Sequence, residues 1–175
     1  MCQEGLEMNE RTYYLIAHRN MVGKKEVDER YYLFHDGKWI RDNHSIILGY
    51  LMGYDETEDS FYRIGNTEIM EQIYVIPETE ANKIMAKQVI EYLRNKWEED
   101  FKEDYQKWQK NPGWPAKYVE TRCVLYGEQV IFYPDDIGVS GDCWGEGFME
   151  LKQKEIEKDL REIGATNIVS YGFLD

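Results

Sequence analysis

One stretch decides the fold of this chain: residues 77–111 read PETEANKIMAKQVIEYLRNKWEEDFKEDYQKWQKN. Proline is tolerated at the first position of a helix, where its missing N–H would have no partner anyway. Good helix formers then follow without a glycine or proline until Pro112 and Gly113. The stretch therefore predicts one long helix that begins near Pro77 and ends before Pro112.

The apolar side chains of this helix change direction along its length. They recur three or four residues apart at Ala81, Ile84, Met85, Val89, Tyr92 and Leu93, and then every four residues at Trp97, Phe101 and Tyr105, joined by Trp108. Each four-residue step turns the stripe by about 40°. Three arrangements follow: a bend near Asn95 and Lys96, two buried faces, or an aromatic end that meets a partner.

The other patterns predict an α+β fold with an antiparallel sheet. Strands are expected over residues 12–17, 31–34, 38–40, 61–64, 69–76, 118–126, 129–133 and 166–171, with a second helix over residues 148–163. Asp36-Gly37 is typical of a hairpin turn, whereas residues 45–52 fit either a helix or a strand. The order over residues 69–172 is that of a ferredoxin-like βαββαβ unit, with two helices on one face of the sheet and an N-terminal β-hairpin region beside it.

Composition indicates one folded intracellular domain over residues 1–175, with a β-rich part (1–66) and a core (67–175). A hydrophobic content of 42% is enough for a sizeable core. No apolar run approaches the ~20 residues that span a bilayer, and the N-terminus lacks the apolar segment of a signal peptide. The three cysteines match no pairing motif, so we expect free thiols and a cytoplasmic protein.

The net charge of −13 is concentrated in two blocks. Residues 54–80 carry eight acids and one base, and residues 120–150 carry seven acids and one base. Direct binding of nucleic acid needs clustered Lys and Arg and is disfavoured. Such blocks would attract a basic protein surface, although they would equally serve solubility alone.

A glycine-rich segment, residues 135–147, is the first candidate site. It lacks the lysine of a phosphate-binding loop, and its four acids would repel a phosphate. Those acids are weak candidates for a divalent metal site and, with the neighbouring tryptophan, stronger ones for partner binding: Asp135, Asp136, Asp142, Glu146 and Trp144. A structural connection without a ligand is the remaining interpretation.

Two further acidic sets complete the predicted partner-binding surface. The first set lies at the aromatic end of the long helix and comprises Glu98, Glu99, Asp100, Glu103 and Asp104 with Trp97 and Trp108; the second comprises Asp55, Glu56, Glu58 and Asp59. Aromatic side chains among acids can anchor a partner, whereas a solvated helix face with pairs four residues apart is the alternative. The second set is not a calcium loop, because Ser60 and Asn66 replace the required glycine and glutamate.

We therefore expect a non-enzymatic binding protein of the inhibitor or immunity type. It would block a basic, nucleic-acid-binding surface of a partner, such as a defence nuclease, by nucleic-acid mimicry as a host-defence antagonist. No cofactor, bound nucleic acid or membrane is expected. Two hypotheses from other classes are a small metal-assisted hydrolase or transferase that uses residues 135–146, and a small-ligand sensor with an aromatic pocket under Trp39, Trp114 or Trp144.

Overall fold

The computed structural model describes residues 11–59, 61–111, 118–133, 138–139, 142–143 and 146–173. The chain divides into two compact units, residues 1–85 and 86–175. Both units combine helices with antiparallel sheets, which confirms the predicted α+β class. The boundary between them lies inside the long helix, and the single domain with its parts 1–66 and 67–175 stays a prediction.

The first unit is built on a five-stranded antiparallel sheet. Its strands are β1 (Thr12–Ile16), β2 (Met21–Lys25), β3 (Tyr31–His35), β4 (Lys38–Arg41) and β5 (Ile73–Ile76), in the spatial order β4-β3-β2-β1-β5. The β3–β4 hairpin turns as predicted at Asp36 and Gly37, both with positive φ. Strand β2 was not predicted, because Gly23 and two lysines conceal its apolar pattern.

Two short helices belong to this unit, α1 (Ile46–Met52) and α2 (Thr67–Met70). Ile47 of α1 is fully buried, and a Cβ on Gly23 of β2 would lie 2.6 Å from its Cδ1 atom. Gly23 thus permits α1 to approach the sheet closely. The prediction of one strand over residues 69–76 is wrong. The Asn66 side chain accepts hydrogen bonds from the N–H groups of Glu68 and Ile69 and starts α2, so the first part of this segment is helical. The strand predicted at residues 61–64 is also wrong, since this segment is a turn.

The long helix α3 (Glu78–Lys110) is continuous. Its buried residues are Ala86 and a series that recurs every four positions: Ala81, Met85, Val89, Leu93, Trp97, Phe101 and Tyr105. Within the second unit, the stripe from Val89 to Tyr105 turns by about 40° per step. Its aromatic end is buried there and is not left in solvent.

The second unit has a three-stranded antiparallel sheet in the order β10-β6-β7. Its strands are β6 (Tyr118–Leu125), β7 (Glu128–Phe132) and β10 (Thr166–Phe173), and a small hairpin, β8 (Gly138–Val139) with β9 (Asp142–Cys143), precedes helix α4 (Glu146–Glu162). Phe132 of β7 contacts Trp97 of α3, while α4 contacts β6 and β10. Fully buried side chains of this unit include Leu93, Trp97, Leu125, Phe132, Phe148, Ile156 and Leu160. Two helices therefore cover one face of this sheet, as predicted.

The ferredoxin-like arrangement over residues 69–172 needs a correction. The predicted order of elements is present, but β5 pairs with β1 in the five-stranded sheet, with Tyr13 opposite Ile76, and not with β6 or β10. Strand β1 buries Tyr13, Tyr14 and Ile16, so it is a central strand whose second edge takes β5. No helix in the described part of the chain is both long and apolar enough to cross a lipid bilayer.

Candidate functional site: a hydrogen-bonded acidic loop with exposed aromatic residues

The loop of residues 55–64, between α1 and α2, displays the most exposed large apolar side chain of the described chain. Phe61 is 95% exposed, and its neighbours Tyr62 and Ile64 are also largely in solvent. Scattered apolar residues are common on protein surfaces, but adjacent exposed ones suggest an interaction site. We call this segment the 55–64 loop.

Backbone hydrogen bonds close the base of the 55–64 loop. The Gly65 N–H donates to the Met52 carbonyl at 2.8 Å, and the Asn66 N–H donates to the Gly53 carbonyl at 3.0 Å. Gly53 has φ +60°, and a Cβ there would lie 2.7 Å from the Asn66 nitrogen and closer still to the Asn66 oxygen. A glycine is therefore needed where the loop leaves α1.

The Asp55 carboxylate organises the interior of the loop. It accepts hydrogen bonds from the Thr57 hydroxyl at 2.6 Å, the Thr57 N–H at 3.0 Å and the Asn66 side-chain amide at 2.9 Å. These bonds favour the ionised form, chiefly those from Thr57, and hold the pKa of Asp55 below its usual range. Asp55, predicted to bind a partner, thus has a structural role in the loop.

The other acids of the loop present their charges to solvent. Glu56, Glu58 and Asp59 are exposed, and their carboxylates form no ion pair with another described residue. The one arginine of the segment, Arg63, donates to the backbone carbonyl of Glu58 at 2.9 Å. Three carboxylates without a paired cation therefore lie within five residues of Phe61 in the sequence.

The acidic set on α3 is partly neutralised. Asp100 pairs with Lys96 at 2.6 Å, and Asp104 pairs with Lys152 of α4 at 2.7 Å. The first pair fits the interpretation of a solvated helix face tied by pairs four residues apart, whereas the second links α3 to α4. Glu99 and Glu103 are exposed and Glu98 is half-buried, so fewer charges remain for a partner than the sequence suggests.

Trp97 belongs to the core, which corrects its prediction as a partner-binding residue. Its side chain is 0% exposed, its ring lies edge-on against Phe132, and its indole N–H donates to the Asp159 carboxylate at 2.8 Å. Trp108 is half-buried and stacks on Tyr105. The four-residue spacing of these aromatics therefore indicates packing rather than an exposed anchor.

The glycine-rich segment contributes little to the described site. Asp142 lies in β9 and Glu146 begins α4, whereas Asp135, Asp136 and Trp144 lie outside the described residues. Within the described ranges, no group of three or more His, Cys, Asp and Glu side chains is placed to hold a metal ion. Cys123 is a buried free thiol, and burial raises its pKa to about 11, so it is a poor nucleophile.

The first unit has an open cavity of about 470 Å³ near the start of α3. It is lined by Arg11, Thr12, Tyr13, Val27, Ile76, Pro77 and Glu78. Its polar groups are already engaged, since the Tyr13 hydroxyl donates to Glu78 at 3.0 Å and Arg11 pairs with Glu26 at 2.8 Å. Trp39 does not line it but packs on Phe34 under the Lys24 ammonium group, and Trp114 lies outside the described residues.

Sequence reasoning identified the acids of the 55–64 loop but assigned Phe61, Tyr62 and Ile64 to a strand. The sequence feature that could have shown them to be a loop was their position between an acidic run and Gly65-Asn66, which is typical of a loop tip.

No protein-family model, curated protein or solved structure matches the chain. We therefore infer its function from the charges and contacts of its own residues.

Proposed function

We propose that this protein is an acidic binding protein of the inhibitor type that covers a basic, nucleic-acid-binding surface of a partner protein. The observation that carries the proposal is Phe61, 95% exposed on a hydrogen-bonded loop whose outer carboxylates pair with no cation among the described residues. The carboxylates would take the places of nucleic-acid phosphates. Phe61 would enter an apolar recess on the same surface.

The combination of one aromatic side chain with surrounding acids suits such a contact. A few aromatic anchors commonly carry most of the binding free energy of an interface. Charges around them mainly speed association and select the partner. The bonds that Asp55 accepts and those that the Gly65 and Asn66 N–H groups donate hold the loop before binding, which lowers the entropy lost when the complex forms.

Charge favours a basic protein over other partners. The net charge of −13 and the excess of seven acids in residues 54–80 repel nucleic acids and anionic membranes. The same charges attract a surface evolved to hold phosphates. A nuclease or another nucleic-acid-handling enzyme is the partner class with that surface.

Capture followed by competition tests the proposal. The protein is immobilised, incubated at low salt with a lysate of the cells that produce it, and washed with rising salt. Each basic protein that elutes is purified, and its binding to labelled nucleic acid is titrated with the wild type, with Phe61→Ser and with Leu151→Ser. Leu151 is the matched control, because it is apolar, 65% exposed and located on α4.

We expect the wild type to displace nucleic acid from the captured partner. Phe61→Ser should require about thirtyfold more protein or a larger excess, since loss of a hot-spot side chain costs about 2 kcal/mol or more. Leu151→Ser should match the wild type. Equal inhibition by all three proteins, or captured partners that bind no nucleic acid, would contradict the proposal.

A further inference from the structure

Strand β5 forms one edge of the five-stranded sheet. It pairs only with β1 among the described strands, with Leu15 opposite Tyr74 and Ile16 opposite Ile73. Just beyond the strand, the Ala17 N–H donates to the Gln72 carbonyl at 2.8 Å. This bond fixes which residues of β5 direct their backbone groups toward β1.

Backbone groups in an antiparallel pair point alternately toward the partner strand and away from it. Because the Gln72 carbonyl is bonded to Ala17, the residue that follows β1, the groups of Tyr74 and Ile76 point toward β1. The N–H and C=O groups of Ile73 and Val75 consequently point outward, where no described strand lies. The outer edge therefore offers two donors and two acceptors.

Strand β5 exposes large apolar side chains to solvent. Tyr74 is 52% exposed and Val75 is 69% exposed. Exposed edges are often protected by lysine, proline or a bulge, because they attract other strands. None of these devices occurs within β5, and exposed acids lie on both sides of it: Glu68, Glu71, Glu78 and Glu80.

We propose that the outer edge of β5 binds an extended segment of a partner protein in which apolar and basic residues alternate. The segment would add a strand to the sheet through the backbone groups of Ile73 and Val75, and side-chain alternation would supply the selectivity. Its apolar residues would contact Val75 on one face of the sheet, and its basic residues, on the face of Tyr74, would reach the flanking carboxylates. A second copy of the chain is a poor occupant, since its own acids would face these acids.

A synthetic peptide of alternating lysine and valine, blocked at both ends, serves as the probe. Its binding to the full chain is measured by calorimetry, and amide hydrogen exchange of Ile73 and Val75 is followed by NMR. A peptide with glutamate in place of lysine tests the charge requirement. The Tyr74 amide is the internal reference, because it is already bonded to β1.

Two variants separate strand addition from simple charge attraction. Val75→Pro removes an outward N–H that the β1 pairing does not use, and proline is tolerated at such edge positions. Val75→Thr keeps that N–H and a β-branched side chain. Thermal unfolding shows whether both variants fold. If a variant does not fold, the hydrogen-exchange measurement on the wild type still tests the proposal.

We expect the lysine peptide to slow exchange of the Ile73 and Val75 amides by about fivefold or more, as one added hydrogen bond of about 1 kcal/mol per group implies. Val75→Pro should weaken peptide binding, Val75→Thr should retain it, and the glutamate peptide should not bind. Absent protection, or equal binding by Val75→Pro, would overturn the proposal. If amide protection of Ile73 and Val75 grows with protein concentration without peptide, the occupant of the edge is a second copy, and the proposal is overturned too.

Phe61→Ser should leave peptide binding unchanged, so this proposal and the function of the 55–64 loop can fail separately.

Discussion

Asp55 is the residue on which the shape of the 55–64 loop depends. Its carboxylate accepts hydrogen bonds from Thr57 and Asn66, so the conformation of the loop is tied to one ionised group. The sequence identifies Asp55 as an acid but not as a structural one. Local spacing cannot tell an aspartate that bonds its own loop from one that faces solvent.

We expect the 55–64 loop to loosen at low pH. The folded-state pKa of Asp55 lies below the unfolded value of about 3.9, so its contribution is present above that value and is lost as the pH falls through the folded pKa. The NMR shift of the Thr57 amide, which bonds this carboxylate, should titrate with a midpoint below about 3.9. A midpoint at or above the ordinary value would contradict this account.

A substitution makes the same test at neutral pH. Asp55→Ala should speed chymotrypsin cleavage after Phe61 and Tyr62, because it releases the loop. Glu56→Ala is the matched control, since its exposed carboxylate has no partner in the described chain. Equal cleavage rates of the two variants would show that Asp55 does not organise the loop.

The elements with long, regular patterns were predictable, and those that depend on tertiary partners were not. The sequence predicted α3, α4 and the β3–β4 hairpin, because helix formers and Asp-Gly turns act locally. It did not predict that β5 pairs with β1, because strand pairing is decided by which edge is available in the folded chain. It also misassigned Phe61, since an exposed turn and a short edge strand share the same composition.

At the scale of secondary-structure elements, Gly53 allows the end of α1 to lie close to the start of α2. Gly53→Ala would bring a Cβ against the backbone of Asn66, which caps α2. We expect it to lower the free energy of unfolding by about 1 kcal/mol or more beyond the effect of Gly65→Ala.

Gly65 is a matched control for this prediction. It also has a positive φ, but a Cβ there would meet no atom within 4 Å. Both variants therefore carry the conformational penalty of a left-handed residue, about 1–2 kcal/mol, and only Gly53→Ala adds a collision. Denaturant unfolding of both proteins gives the difference, and equal stabilities would show that α1 and α2 do not need this close contact.

At the scale of the whole molecule, charge and fold have separate roles. The two units supply buried cores from their own sheets and helices, while the negative charge is concentrated in two segments of the chain. Within the part of the chain that the structure describes, ion pairs neutralise part of the acidic set on α3 but none of the outer carboxylates of the 55–64 loop. We therefore propose that the partner-binding charge lies on this loop rather than on α3.

The most direct test compares two double variants of equal net charge, Glu56→Gln with Glu58→Gln in the loop, and Glu99→Gln with Glu103→Gln on α3. Association rates with the captured partner are measured by stopped flow at low and high salt. The account predicts that the loop variant associates several-fold more slowly at low salt and loses much of its salt dependence, while the α3 variant stays close to the wild type. Identical rates for the two variants would mean that only net charge matters and would contradict a binding site at the 55–64 loop.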